Sequence, residues 1–233
     1  MTAIAIIPAR GGSKRIPRKN VTDLAGRPMI GYTIEAALES GCFARVMVST
    51  DDEEIAAVAR GLGAEVPGLR PMSLADDETP VSVATAFALR ELAASGATYD
   101  LACQLMANCP FRTARDIRES RDTFLASSAP TQISVCRYRL QSPWWAARLN
   151  DQQHLVPLFP DVALARSQDL PDLVCPTGAV WWARSDVLLD QGTFHVDGRT
   201  SWEMSWINAI DIDMPDELEL ARVLMRARLA GDL

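Results

Sequence analysis

The chain has 233 residues, 48% hydrophobic and 23% charged, with a formal net charge of -7 at pH 7. That suffices for one substantial core, with or without a small appendage, and it argues against general nucleic-acid binding, which needs a broad basic surface. No apolar run approaches the roughly 18 residues of a membrane span, and five cysteines (Cys42, Cys103, Cys109, Cys136, Cys175) without a CxxC pair argue against a disulfide framework or a zinc site.

Ala3–Pro8 reads as a buried strand. The apolar run there is too short for a signal peptide and leads directly into a basic loop, so the expectation is a cytoplasmic protein with buried, reduced thiols. Arg10-Gly11-Gly12-Ser13-Lys14-Arg15-Ile16-Pro17-Arg18-Lys19 packs five positive charges into ten residues, contains both lysines of the chain, and meets no acid before Asp23. Pro28 suits the first position of a helix over residues 28–40, with Ile30, Ile34, Ala37 and Leu38 at helical spacing and Gly41 ending it. Arg45–Ser49 is the next strand, followed by the acidic turn Thr50-Asp51-Asp52, a helix over 52–62 and a short strand at Glu65-Val66.

Thr79-Pro80 signals an N-cap followed by proline, starting a helix that runs to Ser95 and stops at Gly96. Residues 99–106 read as a strand. Thr113 caps a helix over Ala114–Ala126, with Asp116 at the acid position of a capping box. Residues 132–138, 178–184 and 207–212 read as strands, and Pro215 opens a final amphipathic helix to about residue 229. Residues 139–172, rich in Pro, Trp, Gln and Asp and without a period, break the rhythm and read as an insertion, a lid or an oligomer arm. Strands alternating with helices imply an α/β fold, a mostly parallel sheet with helices on both faces, in a single domain over 1–233.

In an open α/β sheet, ligands sit beyond the carboxyl ends of the strands, where this basic loop falls. Its glycines allow backbone N–H groups close to an anion, and Arg10, Lys14 and Lys19 can neutralise a triphosphate. A P-loop frame GxxxxGK[ST] and a GxGxxG fingerprint are both absent. The plainer alternative is a solvated basic turn. Near the other end, Asp211 and Asp213 stand two apart on an expected strand, so both carboxylates would face one side and offer oxygen ligands to Mg²⁺. The plainer alternative is that Asp213 caps the helix opened by Pro215 and Asp211 is an exposed strand-end residue.

Ile6 to Asn20, then Gly26-Arg27-Pro28-Met29-Ile30, Val48-Ser49-Thr50-Asp51, Leu69-Arg70-Pro71 and Ile210-Asp211-Ile212-Asp213, resemble in order the motifs of the CMP-sialic acid synthetases, the acylneuraminate or nonulosonate cytidylyltransferases. The resemblance implies a Rossmann-like fold of the nucleotide-diphospho-sugar transferase type, a homodimer, and activation of a nine-carbon α-keto acid sugar with CTP and a divalent metal, Mg²⁺ or Mn²⁺. It implies that Arg10, Ser13, Lys14, Lys19 and Asn20 hold the CTP phosphates and ribose, that Arg70 is a further nucleotide contact, and that Ala9 and Gly11 offer backbone groups at the cytosine. It implies metal binding by Asp211 and Asp213. Arg10, Lys19 and Asp211 are then the catalytic candidates: the first two stabilise charge on the phosphoryl group, and Asp211 assists deprotonation of the sugar hydroxyl.

The sugar end departs from the family pattern. Where sialate-specific members carry a Gln-Pro-Thr-Ser-Pro-Leu-Arg-like segment, this chain reads Leu105-Met106-Ala107-Asn108-Cys109-Pro110-Phe111-Arg112, with Met106 at the glutamine position and Gln104 close by. Further on it reads Ser167-Gln168-Asp169-Leu170-Pro171 and Pro176-Thr177-Gly178-Ala179-Val180-Trp181, with Thr177 for an asparagine and Trp181 for a tyrosine. Gln104, Asn108, Gln168, Thr177 and Trp181 are the expected sugar contacts. The Ser-Gln-Asp-Leu-Pro wording resembles the pseudaminate branch and Ile-Asp-Ile-Asp the sialate and legionaminate branch, so the acceptor stays open among these. A Kdo-like eight-carbon acid and a catalytically silent nucleotide-binding relative rank lower. The six tryptophans read as core or dimer packing. The 139–172 arm is expected to reach the partner's sugar site, with Arg139, Arg148 or Arg166 facing the sugar carboxylate.

Overall fold

The computed structural model describes residues 1–139 and 141–233; Leu140, inside the expected insertion, lies outside the described residues. Strand β1 (Ala3–Pro8) is buried at every residue. Its side chains alternate between two cores, as the two-residue period of a strand requires: Ala3, Ala5 and Ile7 join one cluster, Ile4 and Ile6 the other. A strand with two apolar faces belongs inside a sheet covered on both sides.

The chain continues through a tight β2 (Asp23–Leu24) and β3 (Arg27–Pro28) hairpin, α1 (Met29–Ser40), β4 (Arg45–Ser49), α2 (Glu53–Gly61), α3 (Val81–Ala94), β5 (Leu101–Gln104), α4 (Ala114–Ala126), β6 (Thr131–Arg137), β7 (Ala147–Leu149), β8 (Leu155–Pro157), β9 (Val174–Arg184), α5 (Ser185–Gln191), β10 (Thr200–Glu203) and α6 (Pro215–Ala230). The main sheet has the order β10-β6-β9-β5-β1-β4. β4, β5 and β1 run parallel, as do β6 and β10, and β9 runs antiparallel between β5 and β6. This is a Rossmann-like α/β fold. Side chains of α1, α2 and α4 (Ile30, Ile34, Ile55, Ile117, Phe124) pack on one face of the sheet, and those of α3 and α5 (Leu89, Leu92, Leu188) on the other.

Local signals hold where short polar side chains meet backbone donors. Asp52, expected as the first residue of a helix over 52–62, is instead the cap of α2, accepting from the Ile55 N–H at 3.0 Å. Thr113 and Asp116 form the expected reciprocal box at the start of α4, with bonds of 3.2 and 2.8 Å. At α3 the cap is Pro80 and the first helical residue Val81, one later than the Thr79 signal places it.

Two strand expectations are corrected. Residues 207–212 form no strand; residues 206–209 make a turn, and Asn208 there donates to the Asp116 carboxylate at 2.9 Å and accepts from Arg228 at 2.8 Å. The strand of this region lies upstream, at β10, a half-exposed edge strand whose Thr-Ser-Trp-Glu sequence has no apolar run to announce it. β9 also begins before the expected residue 178, at Val174. Its Pro176, which has no N–H, faces Val135 in the ladder. Within 139–172 a small exposed hairpin of β7 and β8 stands apart from the main sheet.

A third core ties the ends of the chain together. Ile16 of the basic loop, Leu24, Met29, Tyr32 and Phe111 pack with Ile212 and with Leu218, Ala221 and Met225 of α6. Arg228 on α6 donates to the Phe111 carbonyl at 2.7 Å.

Trp182 is the largest fully buried side chain, stacked on Phe43 and Phe124 with centroids 5.4 and 6.5 Å away and donating to Ser120 Oγ at 3.0 Å. Replacing it with alanine leaves a cavity and removes one of the two bonds to Ser120 Oγ, which also accepts from Gln132 at 3.0 Å. Trp182→Ala is expected to cost about 3–5 kcal/mol, read from the denaturant midpoint.

Candidate active site

Beyond the carboxyl ends of β1 and β5 lies a cavity of ≈590 Å³. Arg10, Ser13, Lys14, Arg15, Lys19, Asn20 and Arg70 line it, as do Met106, Ala107, Asn108, Asp211 and Asp213 and a stretch of Leu74, Asp76, Asp77 and Thr79.

The basic loop is a built structure rather than a solvated turn. Ala9 is buried and its N–H donates to the Ser49 carbonyl at 2.9 Å, continuing the β1–β4 ladder. Asn20, also buried, donates to the Arg10 carbonyl at 2.9 Å and so closes residues 10–20 into a ring. Arg18 adopts a left-handed φ of 57° and forks onto Asp52 at 2.5 and 2.9 Å, with a further contact to Glu54. That pairing holds the Asp52 carboxyl down at about 2. Gly11 is required by close approach: a Cβ there would lie 2.7 Å from Asp52 Oδ2. Its N–H is committed to Asp51 Oδ1 at 3.1 Å.

Arg70 is buried, with Nη1 on the Ser49 carbonyl at 3.3 Å and Nη2 3.7 Å from Asp51. Burial pushes its pKa down, and its Nε has no partner among the described residues. A buried cation so weakly compensated is a standing attractor for an anion in the cavity it lines.

Lys19 links the two charge clusters. Its Nζ donates to Asp213 Oδ1 at 2.6 Å and to the Ile212 carbonyl at 3.1 Å. Asn108 is buried, and its amide reaches Asp211 Oδ1, Asp213 Oδ1 at 3.1 Å and the Ile212 carbonyl at 3.3 Å. The Ile212 N–H returns a bond to the Asn108 carbonyl at 3.0 Å. Both carboxylates thus face one amide although their segment is not a strand. Asp213 does not serve the helix: the backbone N–H groups of Asp213 and Met214 bond the Glu217 carboxylate at 2.7 and 2.8 Å, leaving the Asp213 side chain to Lys19 and Asn108.

The two carboxyls are driven apart. Asp211 is open to solvent on the cavity side but hemmed in by protein on the others; this desolvation, with the Asp213 charge beside it, pushes its pKa up to about 6. At Asp213 desolvation also pushes upward, but Lys19, Arg15 and Asn108 outweigh it and the pKa falls. A pair of carboxylates with one held near neutrality is a donor set short of positive charge. Two carboxylates with the remaining positions left to phosphate and water oxygens is a coordination habit of Mg²⁺. Among the described residues, no cluster of three or more His, Cys, Asp or Glu side chains offers an alternative metal cage.

Of the expected sugar contacts, Asn108 lines the cavity and Gln104, Gln168, Thr177 and Trp181 do not. Gln104 is fully buried and accepts from Thr85 at 2.6 Å; Met106 takes the place beside the cavity. Thr177 is buried against Ser134 Oγ at 2.7 Å, and Trp181 donates to the Thr177 carbonyl at 2.5 Å and packs on Phe194. Gln168 is exposed on the arm. The acidic turn at Asp76 and Asp77 went unread in the sequence, although three consecutive acids just ahead of a helix start were its signal.

A mostly parallel sheet with a cationic cradle at its carboxyl edge is the architecture of nucleotide-handling α/β proteins. Residues 4–149 match a family model described as cytidylyltransferase. The chain is 32% identical to a pseudaminic acid cytidylyltransferase of Campylobacter jejuni, over 97% of each chain. It is also 32% identical to a CMP-N,N'-diacetyllegionaminic acid synthase of Legionella pneumophila, again over 97% of each. In three dimensions it is similar to a CMP:2-keto-3-deoxy-manno-octonic acid synthetase complexed with CTP, with a TM-score of 0.73, 19% identity, and coverage of 98% of this chain and 100% of that one. The chain belongs to the cytidylyltransferase family, as the motif resemblance implied, and is a nucleotidyltransferase.

The raised Asp211 carboxyl carries a stability signature. The folded protein holds this proton to about pH 6, against an ordinary carboxyl value of 3.8. The contribution is therefore fully present below the unfolded value and lost as pH rises through the folded one. In metal-free buffer the wild type should lose stability relative to Asp211→Asn between about pH 4.5 and about pH 7, with the variant the more stable at neutrality. Denaturant midpoints of both proteins across that range provide the check.

Proposed function

We propose that the protein transfers CMP from CTP to a nonulosonic acid, a nine-carbon α-keto acid sugar, releasing pyrophosphate. The observation that carries this reading is a single cavity in which a ring of cations meets a carboxylate pair through Lys19 and Asn108. The names of the full-length relatives support the acceptor class.

In this reading Arg10, Ser13, Lys14 and Asn20 receive the triphosphate and ribose, and the weakly compensated Arg70 and the backbone at Ala9 and Gly11 complete the nucleotide contacts. The anomeric oxygen of the sugar forms a bond to the α-phosphorus, the bond from that phosphorus to the bridging oxygen breaks, and pyrophosphate departs with its charge. The hydroxyl proton passes to Asp211. Lys19 and Arg10 stabilise the charge that builds on the phosphoryl oxygens, an electrostatic role worth several kcal/mol. Asp211 and Asp213 would hold Mg²⁺ or Mn²⁺, which would supply positive charge for the phosphate oxygens and lower the pKa of the attacking hydroxyl. Lys19 sits on Asp213, within the same cavity, and its ammonium would turn to the phosphate were that carboxylate engaged elsewhere.

The working form is a homodimer joined through the arm. The arm's apolar side chains lie bare on one chain: Leu155 is 74% and Leu164 100% exposed, with Leu149, Leu158 and Phe159 nearby in sequence. Trp144 packs on Phe159 at 5.3 Å and donates to the Pro171 carbonyl at 2.9 Å, giving the arm a core of its own. Gln168 and the arm's arginines then face the partner's sugar.

Pyrophosphate release with CTP, Mg²⁺ and, in turn, pseudaminate, legionaminate and N-acetylneuraminate is the direct test; release with none of the three sinks the proposal. Lys19→Met should lower kcat by about 10²–10³ while the fold remains intact. Asp211→Asn should nearly abolish CMP-sugar formation, and wild-type rates at saturating Mg²⁺ would remove the metal assignment. Dilution to monomer should cost activity in step with dissociation measured by light scattering, and a fully active monomer rules out the shared site.

A further inference from the structure

The acidic turn at residues 76–79 lines the cavity yet has no part in the transfer chemistry. Asp77 places one carboxylate oxygen on each of two cations: Oδ1 lies 2.7 Å from Arg10 Nη1, and Oδ2 contacts Lys14 Nζ. Arg10 Nη1 also donates to the Asp76 carbonyl at 2.7 Å. The turn is shaped for this task by Asp76, whose Oδ1 accepts from the N–H groups of Glu78 at 3.0 Å and Thr79 at 2.6 Å. Asp76 folds the turn and Asp77 presents its carboxylate.

We infer that Asp77 is an internal substitute for phosphate, holding Arg10 and Lys14 in the free enzyme and exchanging with the polyphosphate at every binding and release. The inference rests on the reading that these two side chains are phosphate ligands. Two oxygens of one carboxylate bonded to two separate cations reproduce what neighbouring phosphate oxygens do. Lys14 and Arg10 keep the Asp77 carboxyl below the usual range, so the competitor stays ionised at any working pH. The physical need is plain. A loop with five positive charges in ten residues retains any polyanion, including the departing pyrophosphate, unless an anion stands ready to replace it. Asp77 thereby lowers affinity for triphosphate and pyrophosphate alike and speeds product release. Both ion pairs are open to solvent, with Lys14 78% exposed, and individually weak, which suits an exchange partner better than a lock.

The test is calorimetric titration with pyrophosphate and with CTP, in the absence of sugar acid, supported by product-inhibition kinetics. Asp77→Asn should tighten pyrophosphate binding about 3- to 10-fold and lower its inhibition constant by the same factor. Asp77→Glu, which keeps the charge, should stay near wild type. Glu78→Gln makes the same change in net charge one residue away, at a side chain with no cation partner among the described residues, and should shift binding less than about twofold. If Asp77→Asn binds pyrophosphate no tighter than Glu78→Gln while Arg10→Gln weakens it, Asp77 is not the competitor although the cations do hold phosphate. If Arg10→Gln and Lys14→Gln both leave pyrophosphate binding unchanged, the phosphate reading itself fails and the inference with it.

Discussion

One contact carries the architecture of the cavity: the Lys19 ammonium on Asp213 and the Ile212 carbonyl, joining residues 193 and 194 positions apart in the chain. It is the polar crown of an apolar joint. Directly beside it, Ile16 and Ile212 enter one core with α6, so the basic loop and the carboxylate pair are fixed to each other by burial before any ligand arrives. Burying two isoleucines contributes on the order of 3–6 kcal/mol. A half-exposed ion pair contributes far less. The hydrophobic joint therefore supplies the energy and the ion pair supplies the register, aligning cations on one side of the cavity with carboxylates on the other. Without α6 the two clusters would belong to separate segments with no common frame.

The charge arrangement is deliberately unfinished. Arg70 is buried with an Nε that has no partner among the described residues, desolvation and Asp213 push the Asp211 carboxyl up to about 6, and Arg10 and Lys14 rest on a carboxylate in a surface turn. Each is a local deficit that a phosphate or a cation would relieve. Strain of this kind lowers the stability of the free protein and is recovered on binding, which is the usual relation between stability and function at a site. The fold tolerates it because the deficits lie at the carboxyl edge of the sheet, while β1 beneath them is buried at every residue.

Most of the fold was legible because its signals are local. The apolar run of β1, the cap at Thr113, and Gly41 ending α1 each depend on residues within a turn of one another, and each recurs in the structure. β10 and the start of β9 were not legible, since an edge strand with half-exposed polar residues and a strand entered through Cys-Pro-Thr lack an apolar run. The direction of β9 is set by its neighbours, which no local pattern encodes. At the site, the same-face relation of Asp211 and Asp213 was inferred from strand period and holds for another reason: Asn108 draws both carboxylates to one amide.

The acceptor side shows why a motif position and a contact differ. Gln104 and Thr177 carry polar groups that suit a sugar, yet both spend them inward, on Thr85 and on Ser134. Trp181 likewise bonds the Thr177 carbonyl and packs on Phe194, away from the cavity. A buried polar group with a satisfied partner has little to gain from a ligand. What these residues do in a single chain is hold β9 against β5 and β6, and so set the position of Gly178, whose Cα faces Met106; a Cβ there would lie 2.8 Å from the Met106 side chain. Substitutions at these positions thus reach the cavity through Met106, Ala107 and Asn108, by displacement rather than by direct hydrogen bonding. On the reading proposed above, the shape of that short segment is where selection among sugar acids resides.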